Sequence, residues 1–512
     1  MTSMRLAEQS VWPIIIVCLV LLSFVVVGLI SKARETSEYG FSGRYTGRIG
    51  GGAAIASNWM SAASFLGLAG VIYLYGYAAL AYVIGWTGGY ILLLVLLAGP
   101  LRRFGKYTAP DFVGERYAST TARRLSAYIS IAIALIYSVA QFKGIGILFS
   151  WLLGISYNNG VMLGTGALMS YIVLSGMLGV SRTQQLQYTV LIVSFILPLM
   201  VLAYKLGYFW PLPQFGYGVA LTELQRNYAI DLAAPFVHGS LFQWIALCFS
   251  LMVGTAGLPH VLSRFYTVPN IRDARWSVAW GLFFIALIYW SAPAYAVFGK
   301  LLEARQGILL PPAANRAMAD IVVLKTAVLG GLPIWLIGIL AAGAVSAAFF
   351  TVAGLLMTGA VSISYDIYYR LINPRASEGK RMAVAKAGTL GLALVVMVAA
   401  LRHPGLIAET TAVAFALAGN TIFPAFLLGI WWGRANRQGA IAGMAAGSLI
   451  TFSAPLFGSY LPLVATLFPL TSSAFCGAPL VILIMVAVSL ATPPPPAEIR
   501  EFLAREVHGN HN

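Results

Sequence analysis

The chain has 512 residues, 59% of them hydrophobic and only 9% charged, and its apolar segments repeatedly reach the ~20 residues that a helix needs to span a bilayer. This composition excludes an ordinary soluble domain and describes a polytopic α-helical membrane protein. The net charge of +16 sits in short segments between apolar runs, where membrane orientation explains it and nucleic-acid binding does not.

In chain order, thirteen spans are predicted, at about 12–30, 50–76, 80–101, 127–153, 159–179, 186–208, 240–257, 277–298, 332–364, 384–401, 406–431, 440–457 and 474–491. The first lacks the basic leader and small-residue cleavage site of a signal peptide and is expected to remain a helix. The second carries six glycines and, at mid-depth, the polar run Ser57, Asn58, Trp59, Met60, Ser61. A helix that loosens inside the bilayer must face protein or ligand, because lipid offers its freed N–H and C=O groups no partner. Broken helices of this kind build cation and solute sites in secondary transporters. Ser61, Ala62, Ala63 and Ser64 open the second half, whose N–H groups and dipole favour an anion.

On the fourth span Tyr137 and Gln141 are four residues apart and share a face. Lys143 is the one basic residue well inside a predicted span, and it reads either as a functional group or as a long side chain snorkelling toward an edge. Gln243 and Trp244 open the seventh span, which is expected to bend at Gly254, Gly257 and Pro259. The loops 209–239 and 299–331 mix proline with charged and apolar residues and are expected to hold short surface helices. Asp111, Glu115 and Arg116, and Asp366 with Arg370, read as ion pairs or gates on the other side. Glu409 complements the start of the eleventh span and is the proton-sensing candidate if sodium is not the coupling ion. Cys18, Cys248 and Cys476 have neither CxxC spacing nor nearby histidines and read as packing residues. Four prolines, Pro493 to Pro496, end the last helix before a short amphipathic tail.

Thirteen spans put the termini on opposite sides. With the N-terminus outside, the cytoplasmic segments hold 23 Lys and Arg and the outer ones eight, which fixes the orientation expected: N-terminus outside, C-terminus cytoplasmic. No Ser/His/Asp triad, paired catalytic carboxylates or phosphate loop is present, so the chain does not read as an enzyme, and no organic cofactor is expected.

The segments SNWMSAASFLGLAGVIYLYGY, GPLRRFGKYTAPDFVGERY, GTAGLPHVLSRFYTV, SISYDIYYR and FPAFLLGIWWGRANRQGAIAGMAAG strongly resemble the sodium:solute symporter family, closest to its bacterial cation/acetate symporters. The resemblance runs from about residue 40 to 450. It implies an all-α LeuT-like fold of thirteen helices in a bacterial inner membrane, with two inverted five-helix repeats. The divisions expected are 1–49 (first helix and loop), 50–239 (first repeat), 240–431 (second repeat), 432–492 (last two helices) and 493–512 (tail). It also implies Na+ as coupling ion, held by backbone carbonyls of Ser57, Met60 and Ala347 and by hydroxyls at positions 350 and 351. Thr351 supplies one hydroxyl; position 350 is Phe, a departure from the pattern that leaves proton coupling as an alternative. The solute expected beside the ion is a small monocarboxylate such as acetate, contacted by residues drawn from Ser57, Asn58, Trp59, Ser61, Ser64, Tyr137, Gln141, Gln243 and Trp244. A transporter-like sensor acting through a membrane partner protein is the second reading, against which the short tail argues.

Overall fold

The computed structural model describes residues 11–30, 52–53, 56–57, 59–104, 108–208, 212–262, 271–309, 311–402 and 405–508, and all regular structure within them is helical. The first span is α1 (Trp12–Ile30). The latter half of the second is a π-helical turn, Ala63–Gly67, running into α2 (Leu68–Tyr75). The chain continues through α3 (Leu80–Leu96), α4 (Ala98–Phe104), α5 (Ala109–Arg116), α6 (Thr120–Leu153) and α7 (Tyr157–Leu206). Next come α8 (Pro213–Tyr228), α9 (Leu241–Gly257), α10 (Pro259–Leu262), α11 (Ile271–Arg305), α12 (Pro312–Met318) and α13 (Val322–Leu329). The last third holds α14 (Ile334–Val361), α15 (Glu378–Ala400), α16 (Ile407–Asn420), α17 (Ile422–Trp431), α18 (Arg437–Phe457), α19 (Ala474–Ala491) and α20 (Ala497–Phe502).

Helix α14 is apolar on every side, and such a helix is stable in the middle of a bundle. It sits there, buried along nearly its whole length between α1, α6 and α7. By contrast, only about a third of the residues in the apolar stretches of α15, α18 and α19 are buried, and these helices form the rim, with leucine and valine side chains exposed. Small residues let the inner helices close up. On α3, Gly85 and Gly89 face α9 so tightly that a Cβ on Gly85 would lie 2.8 Å from the Cys248 carbonyl oxygen.

Helix α7 runs unbroken for 50 residues where two spans separated by a turn at 180–185 were expected. At 1.5 Å per residue this is roughly 75 Å, far more than the ~30 Å of one bilayer crossing, and the expected turn is replaced by helix. Its two ends pack differently: Gly160 and Gly164 lie against α6, whereas Ser194 lies against Gly343 of α14. The seventh span bends where expected, since α9 stops at Gly257, Leu258 is extended, and Pro259 starts α10. The eleventh span is also broken, at Thr421, with φ −123° and ψ −71°. The cause is Pro424, which lacks an N–H and whose ring would clash with the Asn420 carbonyl in a continuous helix.

Short helices α8, α12 and α13 cover one end of the bundle, called here the long-loop end. Gln214 of α8 donates to Ser291 Oγ on α11 (2.8 Å), and Phe215 packs on Trp290. At the opposite, tail end, Phe502 packs on Phe104 of α4, and Leu503 and Val507 are buried.

Candidate functional site

The polar run of the second span does interrupt the helix. Met60 N–H still donates to the Ala56 carbonyl (2.8 Å), but Ser61 is non-helical and the next two N–H groups turn to side chains. Ala62 N–H donates to Gln141 Oε1 (2.8 Å) and Ala63 N–H to Ser61 Oγ (3.1 Å). Buried N–H groups must be paired, so the start of the half-helix, where an anion was expected to sit, is satisfied in this structure by Gln141 and Ser61. Helical bonding then resumes with a wide turn, Leu68 N–H reaching back five residues to the Ala63 carbonyl.

Around this break lies an aromatic cage. Trp59 Nε1 donates to the Tyr289 hydroxyl (2.7 Å), which lies 3.2 Å from Ser64 Oγ. Tyr137 donates to Ser61 Oγ at 3.4 Å. The Trp59 ring meets Tyr90 edge-on at 4.7 Å, Phe415 at 5.6 Å and Trp86 at 6.5 Å; Trp86 also faces Tyr289 at 5.8 Å. Each such pair is worth about 0.5–1.5 kcal/mol beyond its burial, which makes the walls stiff. Every one of these side chains is buried and neutral. Two donors in the cage have no acceptor, Gln141 Nε2 and Trp86 Nε1.

Of the solute residues expected from sequence, Trp59, Ser61, Ser64, Tyr137 and Gln141 come together here, and Ser57 is buried on the preceding half-helix. Asn58 lies outside the described residues. The structure does not bring Gln243 to this cluster: it is exposed and forms a capping box with Ser240 at the start of α9, its Oε1 accepting the Ser240 N–H (3.0 Å). Trp244 is half-buried beside it, stacked on Tyr77. Trp86, Tyr90, Tyr289 and Phe415 enter the cage unanticipated by the sequence reading.

The residues expected around a cation are all buried: Ser57, Met60, Ala347, Phe350 and Thr351. Hydroxyls on α14 normally bond back one turn, as Ser346 does to Ala342 (2.7 Å) and Thr358 to Gly354 (2.8 Å). Thr351 Oγ1 does not, and has no hydrogen-bond partner. An oxygen kept in reserve suits a hard cation. Phe350 offers none; Ser346 donates its proton to the Ala342 carbonyl, which leaves the lone pairs of its oxygen free.

Among the described residues, the ion pairs gather at the two ends. At the long-loop end Asp320 accepts from Lys143 Nζ (2.5 Å) and from the Ile407 N–H (3.2 Å) at the start of α16. Arg316 pairs with Glu409 (2.7 Å) and with Tyr75, while Glu303 takes Lys325 and the Tyr73 hydroxyl (2.5 Å). Lys143 and Glu409 therefore both serve ion pairs at this end. At the tail end Asp111 pairs with Arg123 (2.5 Å), and Asp366 accepts from Thr108 (2.9 Å). Burial pushes the Asp111 carboxyl up, against the pull of Arg123. Arg116 pairs with no carboxylate among the described residues; it donates to the carbonyls of Gly429, Trp432 and Ala435 around the end of α17. Arg370 bonds the Tyr365 hydroxyl (2.8 Å).

The fold is similar to that of a Na+-coupled sialic acid symporter solved in a substrate-bound, outward-open state, with a TM-score of 0.77 over 95% of this chain and 99% of that one at 16% identity. It is an all-helical polytopic membrane fold of the LeuT type. In sequence the chain is 30% identical to an uncharacterized symporter of Cupriavidus necator, over 92% of this chain and 90% of the relative. It is 32% identical to the uncharacterized symporter YwcA of Bacillus subtilis, over 88% and 85%. The model of the sodium:solute symporter family matches residues 39–447. The broken second span, the buried hydroxyl on α14 and these matches agree: the chain belongs to the sodium:solute symporter family, whose members are transporters and not enzymes.

Proposed function

We propose that this symporter imports a small monocarboxylate such as acetate, driven by sodium entering at the break of the second span and Thr351. The observation that carries the reading is the pair of unspent donors, Gln141 Nε2 and Trp86 Nε1, in a cage where Gln141 Oε1 and Ser61 Oγ already accept from the protein. A buried donor without an acceptor costs about 1–3 kcal/mol, a cost that a ligand rich in acceptor oxygens removes. The aromatic walls suit a short alkyl group, and a neutral cage has no carboxylate to pair with an amine. Sodium brings the compensating charge: at about 2.3 kcal/mol per charge per 100 mV, one Na+ offsets the electrical cost of one carboxylate entering a negative cell.

The lysine and arginine distribution supports a bacterial inner-membrane orientation with the long-loop end outside. Labelling of single cysteines from outside is expected to reach 212–239 and not 108–118. The coupling test is proteoliposome uptake of labelled acetate, propionate, pyruvate and lactate under separate sodium and proton gradients. Accumulation is expected to follow sodium, and Gln141→Leu to raise the half-saturating carboxylate concentration by roughly five- to 150-fold, the equivalent of ~1–3 kcal/mol. Accumulation that follows only pH would replace sodium by protons, and binding without accumulation would make the protein a sensor.

A further inference from the structure

Lys143 sits two residues beyond Gln141 on α6, and the neighbouring Gly144 packs so closely on the break that a Cβ there would lie 2.8 Å from the Ala62 methyl. Two residues turn the helix by about 200°, so Lys143 leaves α6 on the side away from Gln141, and its ammonium reaches Asp320, whose neighbour Ala319 lies over Gly70, about two turns beyond Ala62 on the second span. Its partner Asp320 is not fixed to the same helix. It belongs to the segment joining α12 to α13, which is laid over α2: a Cβ on Gly70 would meet the Ala319 carbonyl carbon at 2.8 Å. In this arrangement a carboxylate of the protein occupies the ammonium group above a site read as a carboxylate site. Lys143 also donates to the Gly405 carbonyl (2.9 Å), and its side chain is 15% exposed. Three neighbouring cations are engaged elsewhere, Arg316 with Glu409, Lys325 with Glu303, and Lys300 over the Tyr73 ring.

We propose that Lys143 is a carboxylate-receiving station on the route into the cage, and that Asp320 is the internal carboxylate that holds it when the α12–α13 segment is closed. This deepens, and rests on, the monocarboxylate reading above. Incoming solute exchanges with Asp320 on the Lys143 ammonium, which requires the segment to lift from α2. The solute then moves inward along the second span to the unspent donors, and Asp320 returns behind it. Exchange of one carboxylate for another leaves the lysine charge paired throughout, which matters because a buried charge that loses its partner is strongly disfavoured. A point charge at an entrance acts mainly on the rate of encounter and makes that rate depend on salt.

The experiment measures association and dissociation of radiolabelled acetate and propionate on the purified full-length protein at saturating sodium, at two ionic strengths. Lys143→Gln is expected to slow association at least tenfold, to slow dissociation in step so that Kd moves by less than about threefold, and to abolish the salt dependence. Lys143→Arg is expected to keep it. Asp320→Asn, which weakens the competing occupant, is expected to speed association about threefold or more. An association rate unchanged in Lys143→Gln, or slowed alike in Lys143→Gln and Asp320→Asn with Kd raised in both, would mean an ordinary structural ion pair and overturn the inference alone. A wild-type protein that binds neither acid would overturn the monocarboxylate reading, and the inference with it.

Discussion

The centre of the bundle and its long-loop end meet burial in opposite ways. The centre is neutral: Trp59, Trp86, Tyr90, Tyr137, Tyr289 and Phe415 enclose the break, and Gln141 Nε2, Trp86 Nε1 and Thr351 Oγ1 keep hydrogen-bonding capacity unspent. The long-loop end is charged, and Glu303, Asp320 and Glu409 each hold a cation there. An unspent neutral group costs ~1–3 kcal/mol, which a folded protein tolerates; an unpaired buried charge is far more costly. Neutral donors and hydroxyls can therefore stay unspent in the middle of the bundle, whereas the charges of the long-loop end stand in pairs.

The sharpest way to break this comparison is to fill the centre. Ser61→Leu puts a branched apolar side chain where Ser61 Oγ receives Ala63 N–H and the Tyr137 hydroxyl. Uptake is expected to fall to background while the protein still inserts in the membrane; normal uptake would place the site elsewhere. At the charged end, Glu303→Gln leaves Lys325 buried without its carboxylate and takes the charge from the acceptor of Tyr73. A loss of ~3–5 kcal/mol is expected, read as a lowered midpoint in thermal unfolding of the detergent-solubilised protein. A midpoint within a degree of wild type would show that the pair carries no burial cost.

Thr351→Ala tests the unspent hydroxyl. Losing one neutral ligand costs ~1–3 kcal/mol, so the sodium concentration for half-maximal uptake is expected to rise roughly five- to 150-fold. Phe350→Ser should move it the other way, once expression has been checked, because removing a buried ring can cost ~3–5 kcal/mol of stability. An unchanged sodium dependence in both variants would exclude this part of α14 from ion binding.

The smallest effect belongs to a surface pair. Glu223 accepts from Arg305 (2.8 Å) and from the Tyr208 hydroxyl, and these bonds hold its carboxyl below the usual range. A depressed acid stabilises the folded state above the unfolded-state pKa and loses that contribution as pH falls through the folded value. Glu223→Gln is therefore expected to lower stability by at most ~1 kcal/mol at neutral pH, with the difference from wild type closing in acid. A difference that persisted or grew in acid would contradict this.

The all-helical membrane fold and the break at Ser61 were legible because bilayer length and backbone satisfaction act on local sequence, but the turn expected at 180–185 is helical in the structure. Ser61, Ser64, Tyr137 and Gln141 were legible because polar residues are scarce in an apolar helix. Trp86, Tyr289 and Phe415 were not, since an aromatic residue on a spanning helix looks the same whether it faces lipid, a neighbour or a cavity. Tyr289 meets Trp59 across 230 residues of chain, and only tertiary packing makes that contact. Two features had local signals that went unread. Ser240 followed three residues later by Gln243 is the pattern of a capping box, which assigns the glutamine to the helix start. Pro424 marks the break at Thr421.

The wide turn at Ala63–Gly67 acts as a phase shifter. A single π turn is equivalent to one residue inserted in an α-helix, and each residue advances the helix by about 100°. The extra residue sets the angle at which α2 leaves the cage, so that Tyr73 points to Glu303 and Tyr75 to Glu409 while Ser64 still points to Tyr289. Deleting one residue of the turn would regularise the helix and rotate both tyrosines off their carboxylates without touching either group. The angle between Ser64 in the cage and the two tyrosines at the long-loop end is thus written into the pitch of one turn.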